Sequence, residues 1–243
     1  MKMTIFAKRT TKEIIRDPLA VLFGIGFPVV LLLLLSAINR NIPNDLFNIE
    51  RLTPGVAVFG LSFMSLFSAQ LIAKDRASSF LTRLFTTPMI AADYILGYAL
   101  PLVPIALAQG IVCYAVAFLL GMKFSLSIVV ALIMLIPISF IFIGIGLLCG
   151  TVFSEKAATA ICGALLTNLT AWLSGTWFDL NLVGGAFKAV AYVLPFVHAV
   201  DMGKAAAIGA YADMLPHLWW VLAYGAALVV IAVATFRRGM KIS

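Results

Sequence analysis

The sequence predicts an all-α polytopic membrane protein. It should have six transmembrane helices, an N-terminal amphipathic interfacial helix, and an outer re-entrant helical hairpin between spans five and six. Three observations predict this. Hydrophobic residues make up 63% of the 243 residues and charged residues only 11%, against roughly 25% charged in a soluble domain. Mean hydropathy is +1.10. The apolar runs are continuous, whereas a membrane β-barrel needs strands that alternate apolar and polar residues. So few charges cannot cover a soluble surface, which excludes a cytosolic enzyme, a disordered regulator and a nucleic-acid-binding domain.

The chain reads as a single transmembrane domain over 1–243, and its elements follow in order. Residues 1–18 are a cytoplasmic segment holding an amphipathic helix over 3–16. Met3, Phe6, Thr10 and Ile14 recur at helical spacing, while Lys8, Arg9, Lys12 and Arg16 form a basic face. That pattern predicts a helix lying on the membrane. Its polar part and the apolar run after it are both too long for a cleaved signal. Asp17-Pro18 ends it.

A helix crosses the hydrocarbon in about 20 residues. The runs are 19–37, 54–73, 94–120, 125–153, 157–178 and 218–236. Tight turns at Gly121–Phe124 and Ser154–Lys156 make hairpins of the third, fourth and fifth spans. Residues 179–217 are too apolar for a solvated loop. Val183–Leu194 and Phe196–Ile208, parted by Pro195, are each too short to span, so they suit an outer re-entrant hairpin.

Charge sets the orientation. Arg40, Arg51, Lys123, Lys188 and Lys204 on one face are cancelled by Asp45, Glu50, Asp179, Asp201 and Asp213. The whole net charge of +7 therefore falls on the face that holds both termini. Basic residues stay in the cytoplasm, so both ends are expected there, in a cell inner (plasma) membrane. Cys113, Cys149 and Cys162 lie in apolar runs and read as small membrane hydrophobes.

The spans lack titratable residues in their interiors, which argues against a proton or sodium antiporter. Polar residues inside them are Gln70, Gln109 and Asn168. Each can hydrogen-bond a neighbouring helix, or Gln109 and Asn168 can mark a substrate path. Gly163, Thr167, Ala171 and Gly175 recur every four residues. Such a stripe allows close helix approach, either within one protomer or as a dimer seam. There is no phosphate-cradling G-x-x-x-x-G-K-[ST] sequence, so energy for pumping must arrive from another chain. Ser174 and His198 could suggest a hydrolase. The serine lacks a G-x-S-G setting, and the histidine is not on a span.

Two stretches carry a family resemblance. Lys74-Asp75-Arg76-Ala77-Ser78-Ser79-Phe80-Leu81-Thr82-Arg83-Leu84-Phe85-Thr86-Thr87-Pro88, continued by Asp93-Tyr94-Ile95-Leu96-Gly97, resembles the loop after the second span of ABC type-2 permeases. Leu173-Ser174-Gly175-Thr176-Trp177-Phe178, with Tyr192-Val193-Leu194-Pro195-Phe196-Val197-His198-Ala199-Val200-Asp201, resembles their outer re-entrant region. The resemblance implies an export permease working as a pair of six-span subunits, the second being another copy or a close paralogue, each bound to a separate ATP-binding-cassette ATPase. No cofactor is then expected on this chain, with ATP and Mg held by the partner. It also implies a coupling loop over 74–93, with Asp75, Arg76, Phe80, Arg83, Leu84, Phe85 and Pro88 as its working residues. Asp75 is expected to cap a short helix there. The implied cargo is amphiphilic: a drug, an antibiotic peptide or a lipid-linked glycan. A membrane scaffold or channel without an ATPase is the other reading.

Overall fold

The computed structural model describes residues 2–18, 22–41, 47–78, 80–81 and 89–240, and every regular element in them is helical. α1 is Lys2–Ile15. A π-helical turn, Leu22–Gly26, leads into α2, Phe27–Asn41. α3, Ile49–Gly60, and α4, Ser62–Ala77, meet at Leu61, whose backbone is itself right-handed helical, so they make one rod. α5, Ala91–Ala99, and α6, Leu102–Leu119, are interrupted at Leu100-Pro101, where the proline lacks a ladder donor. α7 is Ser127–Val152.

The predicted fifth span differs from the rest. It consists of α8, Glu155–Ala160, a π-helical turn, Ile161–Leu166, and α9, Thr167–Leu173. The helix stops before the predicted end, because Ser174 starts a turn in which Gly175 has φ +68°. α10, Leu180–Val183, α11, Gly185–Val193, and α12, Pro195–Ile208, follow. The two longer ones coincide with the apolar segments read on either side of Pro195. α13 is Tyr211–Met240.

Among the described residues, five rods are long and apolar enough to cross a membrane: Leu22–Asn41, Ile49–Ala77, Ala91–Leu119, Ser127–Val152 and Tyr211–Met240. The rod Ile49–Ala77 is 89% buried in its most apolar window, Tyr211–Met240 only 17%. The first is wrapped by protein, and the last presents most of its surface outward. α7 is the hub and packs on α4, α6, α12 and α13. α12 enters the bundle, touching α3, α7 and α13, and its Phe196–Val200 stretch is buried throughout. Pro195 opens it at the position where a missing N–H costs nothing, and left-handed Gly209 closes it.

The tightest crossing joins α4 to α7. A Cβ at Gly146 would overlap Ser68 Oγ and the Ser65 carbonyl, and one at Gly150 would overlap the Ala69 carbonyl. The helices therefore meet backbone to backbone, with Ser68 Oγ donating across the seam to the Ile143 carbonyl at 3.2 Å.

α1 has the predicted span but not the predicted setting. Its stripe faces protein. Phe6 and Ile14 are 5% and 4% exposed, and α1 packs on α5. Phe6 stands edge-on to Tyr98 and Tyr94, with ring centroids 4.8 and 5.9 Å apart. A side chain at Gly97 would block that ring. Ile5 and Ile15, off the stripe, stay exposed. The stripe was read as a lipid-facing surface. Hydropathy alone does not separate burial in lipid from burial in protein.

Candidate functional site

The end of the bundle where α1 docks is tied together at Asp75. This residue lies in the last turn of α4 and is 3% exposed. Arg9 of α1 grips its carboxylate with both guanidinium arms, one at 2.8 Å. Tyr98 of α5 donates its hydroxyl to the same group at 2.7 Å. A planar fork on a carboxylate is a strong, geometry-fixing pair. Glu13 extends the network, accepting from Arg9 at 2.9 Å and Lys74 at 3.1 Å. The side-chain hydrogen bond to Asp75 holds the Arg9 pKa above its usual value, against the opposing effect of burial. The guanidinium also lies 4.2 Å from the centre of the Phe80 ring.

This corrects the expected role of Asp75. It caps no helix in a loop, because α4 runs through it to Ala77. The rod of the second span is longer than the hydrophobic run, so Lys74, Asp75 and Arg76 are helix rather than loop. Arg76 reaches α7, where its Nη1 donates to the carbonyls of Gly150 at 2.7 Å and Phe153 at 3.1 Å. These are orphan acceptors of a helix C-terminus. Phe80 is half-buried beside Arg9. Arg83, Leu84, Phe85 and Pro88 lie outside the described residues, as does Ser79. The described members of the predicted loop thus fasten its first arm to α1, α5 and α7. The sequence carried no mark that Arg9 and Tyr98 would be their partners.

The other predicted residues do not come together. Gln109 is fully buried between α6 and α3, close against Gly60 and Pro28, and its Nε2 donates to Cys113 Sγ at 3.3 Å. Asn168 is exposed and donates back to the Ala164 carbonyl at 2.8 Å. One is interior packing, the other lies on an outward helix face. Along the stripe, Gly163, Thr167 and Ala171 are half-buried, and Gly163 looks toward Leu66 of its own chain. Gly175 is off the helix, in the turn. The outward face holds Ala160, Ala164, Asn168 and Trp172 instead.

α12 and α13 carry a second polar cluster. His198 of α12 stacks on Trp220 of α13, with centroids 4.9 Å apart and planes 2° from parallel. Its Nε2 is 2.9 Å from the Tyr192 carbonyl and its Nδ1 is 2.9 Å from His217 Nδ1. A carbonyl only accepts, so Nε2 carries a proton. In a neutral ring Nδ1 then accepts from His217. Lys204 donates to the Gly175 carbonyl at 2.9 Å and pins the turn after α9. Asp179 caps α10, accepting from the Asn181 amide at 2.9 Å, and that bond lowers its pKa. Ser174 Oγ pairs with Thr176 Oγ1 at 2.9 Å. Ser174 and His198 thus each hydrogen-bond other groups, and no hydrogen bond between the two occurs among the described residues.

Gly146 and Gly150 form a G-x-x-x-G, and this is the pair that makes the closest helix crossing.

Residues 1–206 match the family model described as ABC-2 type transporter. No curated protein matches the chain at a significant level.

Proposed function

The chain belongs to the ABC-2 type transporter family and is a multi-pass permease subunit of an ABC transporter, and on that premise we propose that it is the membrane half of an ATP-driven exporter. A separate ATP-binding-cassette chain binds ATP and Mg and hydrolyses the ATP. Two permease copies work as a pair, with the fifth helical segment completing a sixth crossing and its outward face at Ala160, Ala164 and Asn168 available as a seam. Both termini are cytoplasmic in a cell inner membrane, as the one-sided net charge of +7 favours. The cargo is amphiphilic: a drug, an antibiotic peptide or a lipid-linked glycan.

The observation that carries this reading is the junction at Asp75. ATPase closure can drive transport only by moving something rigid, since a flexible tether would dissipate the motion. The segment 78–90 leaves α4 directly after Asp75 and Arg76 and returns into α5, seven residues before Tyr98. Those three residues bind the two ends of the segment to α1, α5 and α7. A push on the loop would thus reach several helices together.

The test is pull-down of a cassette ATPase with transport into inverted vesicles. Losing a buried Phe or Leu anchor at an interface costs on the order of 2 kcal/mol. The Phe80→Ala, Leu84→Ala double variant is expected to insert normally, lose ATPase binding and lose export. Asp75→Asn should keep ATPase binding yet lose most export, because the loop then moves without its lever. Full export by both variants would overturn the reading, and no co-purifying ATPase would favour a scaffold or channel.

A further inference from the structure

Between α1 and the inner end of α4 lies a cleft of about 940 Å³. It is lined by Lys8 and Lys12 of α1 and by Arg16 and Asp17 just past its end, with Lys74 opposite on α4. The second span contributes Phe67, Gln70 and Leu71 to its lining, with the edges of Phe67 and Leu71 left 5% and 8% exposed. Glu13 is spent on Arg9 and Lys74. Lys8, Lys12 and Arg16 are exposed, and their side chains have no ion-pair or hydrogen-bond partner among the described residues.

We propose that this cleft is a binding site for one anionic phospholipid of the inner leaflet, its phosphate held by Lys8, Lys12 and Arg16 and an acyl chain lying along Phe67 and Leu71. Charge and shape choose the occupant. Three unpaired cations two helical turns long call for an anion. An apolar wall on a membrane-spanning rod calls for a hydrocarbon tail. A free anion satisfies the rim alone, and a protein surface would have to send an apolar segment down beside a span. A phospholipid meets both demands from where it already resides. The exposed Ile5 and Ile15 give α1 further contact with the same leaflet. Each basic side chain near an anionic lipid surface contributes roughly fivefold in affinity, so three are worth about a hundredfold. The bound lipid would act as a wedge that holds α1, and with it Arg9, in register against Asp75.

The leaflet assignment rests on the topology proposed above, whereas binding itself does not. The experiment therefore uses the delipidated full chain in detergent, where orientation plays no part. Its probes are dioleoyl phosphatidylglycerol, dioleoyl phosphatidylcholine and inorganic phosphate, with bound lipid counted by native mass spectrometry. The expected result is one phosphatidylglycerol per chain and no comparable retention of phosphatidylcholine. The Lys8→Gln, Lys12→Gln, Arg16→Gln variant should bind about a hundredfold more weakly. A Lys8→Arg, Lys12→Arg variant should bind as the wild type does, which separates charge from fold. Equal retention of both lipids would overturn the proposal, as would undiminished binding by the glutamine variant. Displacement of phosphatidylglycerol by inorganic phosphate would make the rim a plain anion site and also overturn it. A photoreactive residue at position 70 in the assembled complex should crosslink lipid, and crosslinking to a protein there instead would reassign the cleft to a partner chain.

Discussion

At the crossing of α4 and α7, Gly146 and Gly150 lie on the backbone of Ser65 and Ala69, whereas on the fifth helical segment Gly163 meets only the tip of the Leu66 side chain, with its missing Cβ 3.3 Å from Leu66 Cδ1. Both are small residues at four-residue spacing in apolar helices. In the first case the partners include backbone carbonyls, of Ser65 and Ala69, that cannot move aside without breaking their own helix. In the second it is the end of a flexible side chain, and the next turns of the stripe are half open. Spacing alone therefore announces a capacity for close approach. The facing atoms decide whether that capacity is already used. The α4–α7 seam is consumed within the chain. The fifth segment still has a free face, turned slightly from the stripe toward Ala160, Ala164 and Asn168.

The sharpest way to break this comparison is to add bulk at both seams. Gly146→Leu is expected to prevent recovery of folded protein, since overpacking a tight core already costs about 1–3 kcal/mol for modest insertions and here the obstacle is backbone. Size-exclusion after detergent extraction reads it, and a monodisperse peak at wild-type yield would show that the seam yields. Gly150→Ala should be milder, lowering the melting temperature while leaving the chain recoverable, because the Ala69 carbonyl is still in the way.

Gly163→Leu sharpens the comparison from the other side. The fold should survive, because Leu66 can turn away, and crosslinking between two copies should fall only modestly. Ala164→Leu should reduce that crosslinking more, since Ala164 is exposed and Gly163 is not fully so. The reverse ranking would return the seam to the Gly163 stripe. The smallest effect belongs to Lys74→Gln. Its bridge to Glu13 involves a side chain 63% exposed, and such pairs are worth about 0–1 kcal/mol. The melting temperature should barely change, whereas Asp75→Asn should lower it clearly by leaving Arg9 and Tyr98 without their shared anion.

Much of the fold could be read locally. The polytopic helical class, five of the spans, the α1 stripe and the split at Pro195 come from hydropathy, period and proline chemistry. These are properties of contiguous residues. The predicted fifth span shows the limit, because its run continues to residue 178 while its helix ends at Leu173. Apolar content continues there, but a glycine at positive φ turns the backbone, and Lys204 holds that turn from another element.

The candidate site was legible as a place and not as a set of contacts. Phe80, Arg76 and Asp75 could be singled out by their position after the second span. Their partners could not. Arg9 and Asp75 are 66 residues apart, and a carboxylate near a helix end reads equally well as a cap, a solvent charge or a buried anchor. Tyr98 and Gly97 gave no sign that they form the socket for Asp75 and Phe6.

The sequence by itself determined that this chain lives in a membrane, that its elements are helices, and where most of them start and stop. Each follows from the free energy of placing local stretches in hydrocarbon or water. Only the tertiary structure decided which face of each helix meets protein, that the α1 stripe docks on Tyr94 and Tyr98 rather than on lipid, and that Gly146 rather than Gly163 carries the close crossing. Those choices depend on which backbone and which charge arrive from distant parts of the chain, and an apolar face is equally satisfied by lipid or by protein until packing selects one.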